Sequence, residues 1–453
     1  MATYLARSLA CAVAAACIGS PLAGLAQPAQ PAATKAPQVS LSLHDTVQLA
    51  LTNNLAYQAA LTEEHTAESQ VVQARSAFQP TVNAGYAYQH QQNEGAFSFI
   101  AVSPTGPKVE KVEVSAQNYN SVNATLQYAL YTGGAAQAGI GQAAAHLAQT
   151  QSQLAGARDS VIQDTTAAYF HLISSTRAAQ VADTAVDVAT QDLKTANELY
   201  TAGTAAKVDV LRSQVTLADA HLNAIRAHND VSLANAQLAN ILDINLGSII
   251  TPTDTLEAQT PSYMLDNLLV SAQTRPELAA AHDAVTIADY AVKSARSNYL
   301  PNVGLQVEEA SLLPNFTGVP QPQLSEELAV TWQLFSGGLT RGKVMQAISE
   351  VDKAKINLKQ VDNGVDLEVR EAYFNYTAAQ AAVEAAQSAT VSARENFRVN
   401  QIRFKAGVGT SLELSDALLS TTQAENSYIN ALADLRVSLV ALQRAANLLP
   451  PQT

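Results

Sequence analysis

Two hydrophobic periods alternate along this chain, one of two residues and one close to a helical turn. The period of two predicts strands. Val82, Ala84, Tyr86 and Tyr88 share one parity, opposite Thr81, Asn83 and Gln89. Val122, Ala124, Leu126, Tyr128 and Leu130 repeat the alternation against Asn123, Thr125 and Gln127. It returns in Val303, Leu305 and Val307 against Asn302 and Gln306, and in Leu328, Val330, Trp332 and Leu334 against Thr331 and Gln333. After these segments the apolar spacing changes to threes and fours: Val344, Ile348, Val351, Ala354, Leu358, Val361, Val365, Val369, Tyr373, Tyr376. From Gly342 to residue 405 only Gly364 interrupts it. At ~1.5 Å per residue such a helix extends roughly 95 Å, beyond any ordinary globular domain, so the pattern predicts a coiled-coil hairpin. Helices of about 40 residues at 208–247 and 410–449, and of about 24 at 55–78 and 276–298, together match the long helix, which predicts end-to-end stacking alongside it.

The chain is written twice. A displacement of 204 residues lays YTGG at 131–134 on FSGG at 335–338, AAYF at 167–170 on EAYF at 371–374, and LYTAG at 199–203 on RFKAG at 403–407. Nearer the start the displacement is 221, with ARSAFQPTV at 74–82 on ARSNYLPNV at 295–303, so the first copy holds 17 extra residues before its paired glycines. The expected organisation is a signal segment 1–26, an extended tail 27–42, a first repeat 43–250, a linker 251–261, a second repeat 262–449 and a short tail 450–453. The duplication also disposes of two nucleotide-site imitations. Gly337 to Lys343 reads G-x-x-x-x-G-K, but Val344 stands where a magnesium-binding hydroxyl belongs; Gly139, Gly141 and Ala144 imitate a dinucleotide fingerprint. Neither feature is shared by both copies, whereas Gly133-Gly134 and Gly337-Gly338 are, which marks the paired glycines as strand-to-helix turns.

Composition narrows the setting. Arg7, the apolar run LACAVAAACIG and the small residues Gly24-Leu25-Ala26 predict a secretory signal peptide. Both cysteines, Cys11 and Cys17, lie within it, and lipidation at Cys17 is the competing reading. Without residues 1–26 the chain has 25 basic and 39 acidic residues, a net charge of −14, with none of the basic clustering that nucleic acid requires. No apolar run approaches the ~20 residues of a spanning helix, so membrane insertion would require a β-barrel. Strands of about ten residues with one apolar and one polar face suit an outer-membrane barrel. Glu309 and Glu326 share the apolar parity, so the bilayer-crossing part is expected to stop short of them. Four strands are too few to close; three chains supply twelve.

Candidate chemistry is sparse. The eight histidines, His44, His65, His90, His146, His171, His221, His228 and His282, show no zinc spacing, and Asp183, Asp187 and Asp192 read as a solvated helix face. No cofactor, metal site or catalytic residue is expected. At the tips, Gly203 and Gly407 should end the long helices in left-handed conformation. Thr410 and Glu413 form a T-x-x-E capping box.

The duplicated halves, two strands per half, paired-glycine turns and a Gly-x5-Asp/Glu pattern at each tip resemble the TolC family of outer-membrane efflux proteins. The resemblance covers nearly all of the chain after the signal segment. It implies a mainly α fold with membrane β: a trimeric 12-stranded barrel continued by a long periplasmic helical barrel. It further implies a passive duct without enzymatic activity, served by a periplasmic adaptor and an inner-membrane transporter. Asp209, Phe404, Glu413 and Asp416 fall on the family's entrance-constriction positions, while Glu413 as a mere cap stays open. Gly409 replaces the arginine that tethers the family's closed state, so this tip is expected to be held differently. The alternative function is a soluble periplasmic coiled-coil adaptor.

Overall fold

The structure, a computed structural model, describes residues 38–91, 95–114, 117–258, 260–314 and 321–449. The expected signal segment and the C-terminal tail lie outside them. The first repeat comprises strand β1 (Gln38–Leu41), helices α1 (Leu43–Asn53) and α2 (Leu55–Arg75), and strands β2 (Thr81–Gln91), β3 (Gly95–Ser103), β4 (Gly106–Val114) and β5 (Gln117–Thr132). Helices α3 (Ala135–Thr201) and α4 (Lys207–Ile241) complete it. The second runs through β6 (Ile249–Pro252), α5 (Leu265–Ala272), α6 (Pro276–Ser297), β7 (Asn302–Pro314), β8 (Gln321–Thr331), α7 (Leu339–Lys405) and α8 (Ser411–Ala445).

The four alternating segments form one antiparallel sheet in the order β2-β5-β7-β8. Its register keeps the apolar parities together: Val82 opposes Leu126, Leu126 opposes Val307, and Leu305 opposes Leu328. A bulge between Ala129 and Tyr131 leaves Leu130 out of that ladder. Among the described residues no helix covers the apolar face. Val82 is 70% exposed, Tyr86 68%, Leu328 64% and Val330 65%, a continuous patch that a sheet in water would bury. Among the described residues the outer strands β2 and β8 have no further partner. The last strand ends at Thr331, earlier than its alternation predicted; Trp332 instead donates its indole N–H to the Tyr299 carbonyl at 3.0 Å. The extra length of the first copy is taken up by the β3–β4 hairpin, a separate two-stranded sheet.

The two long helices have the same length, 67 residues each, and each returning helix has 35. The latter are shorter than expected because Asp243 (φ 48°) and Asn447 (φ 55°) terminate them in left-handed conformation. These short polar side chains tolerate that conformation. The amides of Ile244 and Leu448 then reach back to the carbonyls of Ala239 and Gln443, capping the last turn.

End-to-end stacking holds, and each joint is built differently. Asn54 caps α2 with its side-chain oxygen and donates its amide to the Ile241 carbonyl at the end of α4 (2.9 Å). The position 221 residues later is Arg275, which precedes α6 and reaches the Ala445 carbonyl at the end of α8 (3.5 Å). Arg275 is 2% exposed; it binds Glu368 at 2.7 Å and Glu277 at 3.1 Å, and Arg444 approaches both carboxylates. Around this level β1 and β6 pair in parallel, so the linker expected from residue 251 begins as a strand. The Tyr169 hydroxyl, buried beside Asp254, donates to it at 2.7 Å and is pushed above its ordinary range by burial and then by that carboxylate.

Both glycine pairs adopt left-handed geometry, at φ 62° and 91° for Gly133 and Gly134 and 62° and 92° for Gly337 and Gly338. An L-residue in that conformation costs roughly 1–2 kcal/mol. At Gly133 a side chain would also press on the Ser297 carbonyl oxygen at 2.6 Å, while at Gly337 it would meet nothing within 4 Å. Gly133→Ala is therefore expected to lower the yield of folded protein in the membrane fraction more than Gly337→Ala does. Equal yields would mean that the Ser297 contact relaxes without cost.

Candidate functional site at the hairpin tips

At the end remote from the sheet, α3, α4, α7 and α8 form a four-helix bundle in which the two hairpins of one chain meet. Each long helix ends at an alanine followed by a left-handed glycine, Gly203 (φ 77°) and Gly407 (φ 74°). The amides of Thr204 and Val408 return to the carbonyls of Leu199 and Arg403, closing the last turn. The outermost apolar layer is Ala196, Val210, Phe404 and Leu414, and a second layer holds Ala189, Ala220 and Leu418.

Phe404, expected at the entrance, belongs to this core. It is 3% exposed and holds the hairpins together, because its position faces α3 and α4 within the same chain. The three expected carboxylates lie close to the turn. Asp209 receives the Ala206 amide at 3.2 Å, capping α4, and receives the Ser411 hydroxyl of the other hairpin at 2.6 Å. Glu413 completes its capping box: Thr410 N–H donates to its carboxylate at 3.1 Å, and its own N–H donates to Thr410 Oγ1 at 3.3 Å. Those cap bonds, and then the Arg403 guanidinium at 3.7 Å, hold its carboxyl below the ordinary range. Asp416 is exposed one turn further on.

Gly409 fits a different kind of latch. Its amide bonds the Arg403 carbonyl at 3.0 Å, and a Cβ there would meet the Phe404 nitrogen at 3.0 Å. The ionic contact at this tip comes from Arg403 on α7. Between hairpins, the Asp209–Ser411 bond is joined by Thr216 and Ser415, whose hydroxyls lie 3.0 Å apart.

The acidic stripe on α3 divides. Asp183 is exposed and meets His228 at 3.0 Å, and Asp187 is exposed. Asp192 is 7% exposed, contrary to the solvated face expected of it. The available signal was phase: Ala182, Ala189 and Ala196 are buried seven residues apart, and residue 192 lies three beyond one and four before the next. Among the described residues no group of three His, Cys, Asp or Glu side chains is arranged to hold a metal, and no helix is long and apolar enough to cross a membrane. Lys343 lies in the first turns of α7, where the phosphate-loop imitation is helix.

An open-edged amphipathic sheet continued by paired long hairpins defines the outer-membrane channel-tunnel class. The family model described as outer membrane efflux protein matches residues 46–243 and 268–448, one segment in each repeat. The chain belongs to the outer membrane efflux protein family, a family of transport channels located in the outer membrane. Among its relatives, Protein CyaE of Bordetella pertussis is 25% identical over 334 residues, covering 72% of this chain and 70% of the relative. Outer membrane efflux protein BepC of Brucella suis is 23% identical over 332 residues, covering 72% and 71%. The alkaline protease secretion protein AprF of Pseudomonas aeruginosa is 26% identical over 180 residues, covering 38% and 37%. The outer membrane channel CmeC of Campylobacter jejuni superposes with a TM-score of 0.75 at 17% identity, covering 90% of this chain and 87% of that one. The outer membrane protein VceC of Vibrio cholerae gives 0.73 at 18%, covering 89% and 95%.

Proposed function

We propose that three copies of this chain form a passive exit duct, twelve strands in the outer membrane and a helical tube in the periplasm, joined to an adaptor and an inner-membrane transporter. The observation that carries this reading is the sheet: among the described residues its apolar face is uncovered and both edge strands lack partners, yet it leads directly into 67-residue helices. An open edge in lipid leaves backbone groups unsatisfied at several kcal/mol each, and pairing β8 of one copy with β2 of the next removes every edge. A soluble periplasmic adaptor would have no use for this uncovered face. The relatives include an efflux protein and a protease secretion protein, and a duct that performs no chemistry serves either kind of cargo.

Glu413 and Asp416, repeated by three-fold symmetry, would place six carboxylates around the periplasmic entrance, with Asp209 holding the hairpins beside them. Such a ring attracts cations. In planar bilayers the protein is expected to form cation-selective channels blocked by hexamminecobalt. Glu413→Gln with Asp416→Asn should reduce selectivity and weaken the block several-fold, since glutamine preserves the cap. Unchanged selectivity and block would leave Glu413 only its capping role, and absence of any channel would overturn the duct.

A further inference from the structure

Between the two apolar layers of the tip lies a layer that is almost entirely polar. Asp192 on α3, Ser213 and Thr216 on α4, and Ser411 and Ser415 on α8 surround a cavity of about 10 Å³ closed by Ala189, Leu414 and Leu418. That volume admits about one water molecule. The Gln401 amide on α7 favours the ionised Asp192 carboxylate, while Asp192 Oδ1 is buried with no hydrogen-bond partner among the described residues. The layer includes the side-chain contact Thr216–Ser415 that joins the two hairpins, with Asp209–Ser411 one turn nearer the tip. Separating the hairpins would therefore break the hydroxyl contact and hydrate Asp192 in one movement.

We propose that Asp192 is a proton-binding site that couples the packing of the two hairpins, and hence closure of the periplasmic tip, to pH. The closure half of this statement rests on the duct reading; the proton site does not. An ionised carboxylate with one oxygen unsatisfied in a layer sealed by alanine and leucine is costly, whereas a neutral carboxyl can donate to a neighbouring hydroxyl or to the enclosed water.

The charged surroundings leave Asp192 as the group that responds. On α7, Lys405 is exposed and favours the ionised form, as does the Gln401 amide; Arg403 is turned to Glu413. On α4, Asp209 is held by the Ala206 amide and Ser411. On α8, Glu413 is bound in its cap and Asp416 faces outward. On α3 itself, Lys194 and Glu198 do not line the cavity. Burial outweighs Gln401 and Lys405, and the Asp192 carboxyl is pushed up to about 6 from an ordinary 3.8. The sign follows. The packed tip binds the proton more tightly than a hydrated one, so packing is favoured as pH falls through about 6 and weakened above it. With those two values the packed form gains about tenfold per chain between pH 7.5 and pH 5.

Hydrogen exchange of the detergent-solubilised protein tests this, read over 186–200 and 408–420 after correction for intrinsic rates. Protection of both segments is expected to rise about tenfold from pH 7.5 to pH 5. Asp192→Asn should hold it at the acid level throughout. Lys405→Ala, an exposed change that leaves the layer intact, should move the midpoint upward. An unchanged pH response in Asp192→Asn, or an unmoved midpoint in Lys405→Ala, overturns the proposal and leaves a layer that only fixes helix register. Single-channel recording on the same preparations should show acid closure that Asp192→Asn makes constant. Exchange that responds as stated in a protein with no conductance at any pH would keep the proton site and overturn the duct reading instead.

Discussion

Replacing both Glu277 and Glu368 by alanine is expected to destabilise the chain by ~3–5 kcal/mol, because it strands the guanidinium of Arg275 without an anionic partner. Arg275 is 2% exposed where α8 meets α6, and Arg444 stands beside it, so the double variant removes both carboxylates that bind the two cations and leaves only the partly buried Asp159 in their vicinity. The reverse change, Arg275→Met, should cost less: the two glutamate side chains are 36% and 43% exposed and can hydrate once released. Burial of Glu277 opposes its ionisation, but the hydrogen bonds and charge of Arg275 outweigh it and hold the carboxyl below its ordinary 4.5. Its folded value is depressed, so the stabilisation is present above about 4.5 and lost as pH falls through the folded value. Thermal unfolding of the solubilised protein at neutral pH and near pH 3 checks both statements. Equal losses for the double glutamate variant and Arg275→Met would show that the joint is held by packing instead.

Phe404→Ala is expected to remove ~3–5 kcal/mol from the tip while leaving the sheet and the helix joints intact. Its ring fills the outermost layer against Ala196, Val210 and Leu414, with Leu193, Leu199 and Phe397 packed around that layer, so truncation leaves a cavity at the centre of the cluster. The loss should appear as faster proteolysis within 199–210 and 403–414 and as raised resting conductance. Phe404→Leu separates packing from pore lining: a core position accepts leucine with little change, whereas a ring at the constriction would widen the passage on truncation. Wild-type proteolysis in Phe404→Ala would remove Phe404 from the core that holds the hairpins.

Much of this architecture is legible in the sequence because it depends on periodicity. The register of β2, β5, β7 and β8 follows the parity of Val82, Leu126, Val307 and Leu328, and the tips and turns follow glycines whose φ the structure places near 62–92°. What was hidden depended on groups brought from far apart. Asn54 and Arg275 occupy the same place in the two copies but share no chemistry, so alignment of the copies gives no sign that each joins a pair of helices. Asp243 and Asn447 end helices where glycine is the usual signal. Phe404 aligned with an entrance position, but two of the neighbours that bury it, Ala196 and Val210, come from the other hairpin. Asp192 looked like its exposed neighbours Asp183 and Asp187 until the heptad of buried alanines fixed its direction.

The two 67-residue helices, with tips 204 residues apart in the chain, make length a doubly encoded quantity. Buried alanines at 182, 189 and 196 repeat every seven residues towards the α3 tip, so removing anything but whole heptads would put that layer out of phase. Removing seven from α3 and its returning partner alone would lift one tip roughly 10 Å above the other and notch the rim. Reach can therefore change only in whole heptads, four segments at a time. Length in this chain is quantised, and no single insertion can alter it without breaking the mouth.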